Sequence, residues 1–198
     1  GDPNIFGRGG EEMDYVRDRG IDVRTVPGIT AAAGITAELQ IPLTCRTIAN
    51  STTFLTGHSR VGGENPLDEI AARADERTTL VIYMGLATLP DLAERLQSKG
   101  LPASLPAVAV MKGTTPNQVA VFAPLRDLPA AVVKEGLKSP TLVVIGHVVA
   151  LSPQYPGHAK QAVYKGKSFA REDVLDSKPL LEVLAQAERQ LSGQDRVV

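Results

Sequence analysis

The sequence predicts an α/β fold with a mixed sheet, and three observations carry that prediction. Helical and strand-like patterns alternate along most of the chain, each apolar run closed by Gly or Pro. Aromatic residues make up only 4% of the 198 residues and tryptophan is absent, so alanine, valine and leucine must fill the core. That suits an α/β protein better than a β-sandwich. The turn Thr114-Thr115-Pro116-Asn117 is too short for a helical crossover, so the strands on either side of it should be antiparallel neighbours.

The elements follow in order. Glu11 to Arg19 reads as a short helix stopped by Gly20. Ile21 to Val26 alternates apolar and polar residues as a strand does, and Pro27-Gly28 ends it. Ile29 to Leu39 is an alanine-rich helix, with Thr30 able to cap its N-terminus through its hydroxyl. Ile41 to Arg46 is a turn. Strands are expected at Thr52 to Thr56, Thr78 to Tyr83, Ala107 to Val110, Gln118 to Phe122 and Thr141 to Ile145. Helices are expected at Pro66 to Ala74, after a Thr88 cap with Leu89, Leu92 and Leu96 on one face, and at Leu128 to Glu135. Gly57-His58-Ser59-Arg60 with Gly62-Gly63 reads as a flexible loop, and His58 as a structural or peripheral residue with no visible partner. Gln154 to Arg171 lacks periodicity and reads as a mobile tail, followed by a helical pattern over Pro179 to Leu191. The expected organisation is 1–50, 51–152 and 153–198: the end of a first α/β domain, a second α/β domain with a mixed sheet, and a tail.

Charge and composition narrow the function. With 21 basic and 22 acidic residues the chain is not a general nucleic-acid or membrane-surface binder, although a local basic pocket is compatible with that balance. No apolar run approaches the ~18–20 residues needed to span a bilayer. The single cysteine, Cys45, excludes an internal disulfide and makes a reducing compartment the default. There is no metal-ligand spacing, no Walker loop and no nucleophile–base pair.

The densest chemistry lies at the start, Gly1-Asp2-Pro3-Asn4-Ile5-Phe6-Gly7-Arg8-Gly9-Gly10-Glu11-Glu12. A glycine-rich loop entering a helix offers free backbone N–H groups to a ligand. Arg8 is its one cation, with Glu11 three residues on. The same residues also suit a surface loop carrying a solvated ion pair. Such a loop ordinarily follows a strand, and none precedes Gly1, so the expectation is the later part of a longer protein or a truncated form.

The spelling of that run resembles the tetrapyrrole methylases, particularly those acting on uroporphyrinogen III. Further matches follow in order: Val26-Pro27-Gly28-Ile29-Thr30-Ala31-Ala32, Ile41-Pro42-Leu43-Thr44, Thr56-Gly57-His58, Val81-Ile82-Tyr83-Met84-Gly85, Gly113-Thr114-Thr115-Pro116 and Ser139-Pro140. The resemblance covers roughly residues 1 to 150. It implies two α/β domains with the active site in the cleft between them, the first domain incomplete here, and a homodimer. It implies S-adenosylmethionine as methyl donor, contacted by Gly1, Asp2, Thr30, Ala31, Met84 and Gly113, with Thr141 a further cofactor contact. It implies uroporphyrinogen III as substrate, methylated twice to precorrin-2 for sirohaem or cobalamin synthesis, with no metal, nucleic acid or membrane partner. Arg8 and Arg46 would grip its carboxylates, because planar guanidinium forks bind carboxylates bidentately; Glu11 would orient Arg8 or accept a proton.

Three positions depart from the family pattern: Cys45 stands where histidine is usual, Met111-Lys112 where Glu-Arg is usual, and Val119 where arginine is common. Three readings therefore stand side by side: a fragment of a working methyltransferase, a related methylase with another acceptor, and an inactive subunit. The Thr56 to Arg60 run is closer to plant and algal versions, which implies a chloroplast location in such an organism and a cytoplasmic one otherwise.

Overall fold

Among the described residues six strands build the sheet: β1 (Ser51–Thr56), β2 (Thr78–Tyr83), β3 (Pro106–Met111), β4 (Gln118–Pro124), β5 (Thr141–Ile145) and β6 (Ala162–Gly166). Their spatial order is β1-β2-β5-β3-β4-β6. β1 and β2 run parallel, and every other neighbouring pair is antiparallel. The tight link between β3 and β4 pairs Met111 with Val119 and Val110 with Ala120, as the short Thr114–Asn117 turn requires. The computed structural model describes residues 1–57, 66–156 and 162–166, all within one compact unit, Gly1–Ser168. The expected His58–Arg60 loop and the Pro179–Leu191 helix lie outside the described residues.

The central strands are apolar along their whole length because helices cover both faces. Against one face pack α3 (Pro66–Ala72), α4 (Leu89–Ser98) and α5 (Leu128–Lys134). Leu89, Leu92 and Leu96 recur along one side of α4 and bury completely against strand residues such as Ile82 and Ile145. Each such burial contributes about 1.5–3 kcal/mol. The other face carries α2 (Ala31–Glu38) and a 3-10 segment at His147–Leu151. There Ala32, Ile35 and Leu39 pack with Val81, Val108, Phe122 and Val144. The small alanines of α2 thus serve close helix–sheet approach.

Helix ends differ from the sequence reading in instructive ways. α1 spans Gly9–Arg17, two residues earlier than expected at its start, and closes through left-handed Gly20, whose N–H bonds the Arg17 carbonyl at 2.8 Å. The expected Thr30 cap is not made by Thr30: its hydroxyl makes no cap hydrogen bond, and the hydroxyl of Tyr83 accepts the Ala32 N–H at 2.9 Å instead. Thr88 likewise makes no side-chain cap; its hydroxyl reaches the Gly57 carbonyl at 3.2 Å.

Two expectations are corrected. Among the described residues Ile21–Val26 joins no ladder, although its residues alternate as a strand's would; Ile21 and Val26 stay exposed. Alternation specifies a face, but a strand exists only where a neighbour accepts its hydrogen bonds. Conversely, the stretch read as a mobile tail contributes β6, which pairs antiparallel with β4 from Gln118↔Gly166 to Phe122↔Ala162. Tyr164 from β6 meets Phe122 edge-on at 5.8 Å, an aromatic anchor for this strand.

Candidate functional site

A cavity of about 880 Å³ opens where α2 meets the ends of β2, β3 and β5. Three chain reversals frame it. The first, after β2, brings Tyr83, Met84, Leu86 and Ala87; the second, between β3 and β4, brings Lys112, Gly113, Thr115 and Asn117; the third, entering β5, brings Ser139, Pro140 and Thr141. Ala31 and Ile35 of α2 complete the wall. Ligands of open α/β sheets bind at such strand ends, where loops diverge. The volume lies within the ~300–1,000 Å³ usual for small-molecule sites. Its walls are largely apolar, with a few hydroxyl, amide and ammonium groups to orient a bound molecule.

The rim is conformationally strained. Met84, Lys112 and Thr114 all hold positive φ, at 52°, 50° and 62°, without being glycine. Side chains in that region cost free energy that the surrounding structure must offset, and such residues cluster at ligand sites. Met84 is 55% exposed at the cavity mouth, so it is not a core methionine. Gly113 is required for packing: a Cβ there would come within 2.3 Å of the Ile35 side chain. Thr141 donates its hydroxyl hydrogen to the Lys138 carbonyl at 2.7 Å, which leaves its oxygen lone pairs as acceptors at the wall.

Four of the candidate residues, Ala31, Met84, Gly113 and Thr141, line this one cavity although they lie up to 110 positions apart in the chain. Gly1, Asp2 and Thr30 do not line it but brace its surroundings. The Asp2 carboxylate accepts N–H groups from Gly28 at 2.9 Å and Asn4 at 2.8 Å, and the Gly28 bond foremost holds its pKa below the ordinary carboxylate value. A Cβ on Gly28 would fall 2.1 Å from the Gly1 carbonyl oxygen, so the opening loop and the Pro27-Gly28 turn are in direct backbone contact. Thr30 is buried and its hydroxyl lies 2.6 Å from that of Tyr83.

Arg8 and Glu11 are brought together, Arg8 Nε donating to Glu11 Oε2 at 2.8 Å on the N-terminal turn of α1. Both remain exposed, at 78% and 53% of their side chains. Glu11 raises the Arg8 pKa through that hydrogen bond. Neither they nor Arg46 line the cavity. Their loop is tied to it by Phe6, whose ring packs 4.7 Å from that of Tyr83. Arg46 is exposed at the tip of a turn closed by paired Cys45 and Ala49. Cys45 N–H donates to the Ala49 carbonyl and Ala49 N–H to that of Cys45, each at 2.8 Å. Arg46 thus projects from a fixed backbone.

Sequence reasoning missed Tyr83, which caps α2, holds Thr30, supports Phe6 and forms part of the cavity wall. Its place immediately before Met84 was the available signal. It also missed the pair Glu38 and Gln118, which join α2 to the 112–117 turn. Burial, partly countered by the Gln118 bond, raises the Glu38 pKa. Among the described residues no cluster of His, Cys, Asp and Glu could hold a metal ion, and no helix is long and apolar enough to cross a membrane.

Comparison with known proteins gives this arrangement a context. The family profile for Tetrapyrrole (Corrin/Porphyrin) Methylases matches residues 1–129. An Arabidopsis thaliana protein named S-adenosyl-L-methionine-dependent uroporphyrinogen III methyltransferase, chloroplastic, is 57% identical over 162 residues, which is 82% of this chain and 44% of that protein. A siroheme synthase from Thiobacillus denitrificans is 46% identical over 162 residues, 82% of this chain and 33% of that protein. The chain therefore spans less than half the length of these two relatives. Among solved structures, uroporphyrin-III C-methyl transferase from Thermus thermophilus complexed with S-adenyl homocysteine superposes with a TM-score of 0.61 and 33% identity, covering 76% of this chain and 64% of that one. With the profile spanning well over half the chain and the relatives sharing this degree of identity, the chain belongs to the tetrapyrrole methylase family.

Proposed function

We propose that this chain carries the cofactor wall and part of the substrate wall of an S-adenosylmethionine-dependent methyltransferase that C-methylates uroporphyrinogen III to precorrin-2. The observation that carries this reading is the convergence of Ala31, Met84, Gly113 and Thr141 on one cavity. Those are positions at which the resemblance puts cofactor contacts. The names of the Arabidopsis and Thermus proteins support both the donor and the acceptor, and the siroheme synthase relative supports the pathway.

The cavity fits the donor on its own terms. Its volume suits a nucleoside-sized ligand, its apolar walls suit a base and ribose face, and the Thr115, Asn117 and Thr141 side chains offer hydrogen bonds. S-adenosylmethionine supplies a methyl group already activated by its sulfonium. The chain needs no nucleophile of its own and acts by positioning, which alone is able to supply a large part of a rate enhancement. The strained Met84 reversal and the Gly113 turn both contribute to the cavity wall. Arg8 and Arg46 bind acetate and propionate groups of the acceptor as charge-assisted forks. Glu11 keeps Arg8 oriented until the substrate carboxylate displaces it, or takes the proton released from the methylated carbon.

The same reading includes the cleft between two α/β domains, a homodimer, and a plastid location as in the Arabidopsis relative's name. A second acceptor, another tetrapyrrole of the same pathway class, is favoured by one observation: Lys112 is part of the cavity wall, where the family pattern has arginine. Replacing the matched stretch of the Arabidopsis relative with this chain's residues tests the proposal. Transfer of labelled methyl from S-adenosylmethionine to uroporphyrinogen III by the chimera is expected. A folded chimera that methylates another precorrin instead selects the second reading, and one that methylates neither contradicts both.

A further inference from the structure

The turn that walls the cavity between β3 and β4 is tied to α2 by a two-bond relay that passes through one side chain. Gln118, the first residue of β4 and 5% exposed, accepts the backbone N–H of Thr114 on its Oε1 at 2.7 Å. Its Nε2 donates to Glu38 Oε1 at 3.1 Å, on the last turn of α2, 80 positions away in the chain. Thr114 is one of the left-handed residues, and its neighbours Gly113 and Thr115 line the cavity. The first turn of the same helix supplies Ala31 to that cavity, and Ile35 sits against Gly113.

From this geometry we propose that Gln118, held by Glu38, is a positioning residue for the cofactor cavity: it fixes the strained 112–117 turn at the spacing from α2 that a bound nucleoside requires. The proposal rests on the cofactor reading given above. Only a side-chain amide of this length performs both tasks, because its oxygen accepts from a peptide N–H while its nitrogen donates to a carboxylate. Glutamate in its place keeps the first bond and opposes the second with like charge. Alanine loses both and leaves the Thr114 N–H and the Glu38 carboxylate without these partners, a larger cost than the net worth of the bonds. Neither residue touches the cavity, so the relay acts through the turn it holds.

The test uses the full chain in four forms: wild type, Gln118→Ala, Gln118→Glu, and Gln118→Glu combined with Glu38→Gln, which swaps donor and acceptor in the 118–38 bond while keeping the bond from Thr114. Two readouts are taken, amide hydrogen exchange at Thr114 and the Kd for S-adenosylhomocysteine by calorimetry, with thermal unfolding recorded alongside. Gln118→Ala should speed Thr114 exchange and Gln118→Glu should leave it near wild type, while both should weaken S-adenosylhomocysteine binding by about tenfold or more, the equivalent of losing one well-made bond to a charged partner. The reversed pair should keep Thr114 exchange near wild type and return the affinity toward wild type, which a role confined to general stability would not produce. Unchanged Thr114 exchange in Gln118→Ala overturns the relay whatever the ligand does. Faster exchange with unchanged affinity overturns its positioning role. A wild-type chain that binds no S-adenosylhomocysteine contradicts the cofactor reading itself, and Thr114 exchange then decides the relay alone.

Discussion

The hydroxyl of Tyr83 lies 2.6 Å from that of Thr30 and accepts the Ala32 N–H, so a sheet residue caps the helix that walls the cavity. The helix N-terminus leaves backbone donors without intrahelical partners, and here a side chain from 51 positions away satisfies one of them. The same ring carries Phe6 from the opening loop. Three parts of the site are therefore coupled through one side chain.

Tyr83→Phe keeps the ring stack and deletes the cap. It should destabilise the fold by about 1–2 kcal/mol, the usual worth of one or two such bonds, and weaken S-adenosylhomocysteine binding in calorimetry. Tyr83→Leu should add a loss of protection in the opening loop, read by hydrogen exchange over residues 3–9. Equal loop exchange in the two variants would show that the Phe6 contact contributes nothing.

The carboxylate of Asp2 ties the opening loop to Gly28, and this bond should be legible in acid. Its folded-state pKa lies below the ordinary value of 3.8 because backbone N–H groups stabilise the charged form. The stabilisation is therefore fully present above about pH 3.8 and is lost as pH falls through the lower, folded-state value. Asp2→Asn should remove that part of the acid limb in a stability–pH series while leaving the rest of the curve in place. A superimposable acid limb would contradict the assignment.

Arg8 is an exposed cation already paired with Glu11, and exposed pairs of this kind contribute little to stability. Arg8→Ala should leave the unfolding midpoint nearly unchanged. In the chimera with the Arabidopsis relative it should raise the KM for uroporphyrinogen III at least about tenfold, as expected for loss of a charge-assisted carboxylate contact. S-adenosylhomocysteine affinity should not move. An unaltered KM would sink the carboxylate grip.

Much of this architecture is legible in the sequence where the physics is local. β2 and β5 fall at the expected residues because continuous apolar runs bounded by turn residues announce buried strands. The antiparallel β3–β4 pair follows from the length of one turn. Readings fail where a distant partner decides. Thr30 and Thr88 have the chemistry of caps, yet Tyr83 and the Gly57 carbonyl compete for their hydroxyls. Ile21–Val26 has the alternation of a strand but pairs with no neighbour among the described residues, whereas the short Ala162–Gly166 run lacks a long periodic signal and gains its structure from the open edge of β4. The site divides in the same way. Motif spelling points to Met84 and Gly113, but nothing local in the sequence joins Gln118 to Glu38.

The central claim is that the cavity between α2 and the strand-end turns is the S-adenosylmethionine site. Calorimetric titration of S-adenosylhomocysteine into the full chain and into Ala31→Phe, whose ring would occupy the cavity beside Ile35, tests it most directly. The account predicts one-to-one binding by the wild-type chain that disappears in Ala31→Phe while the fold is retained by circular dichroism. Binding of equal strength in both would contradict it, as would a folded wild-type chain that takes up no ligand.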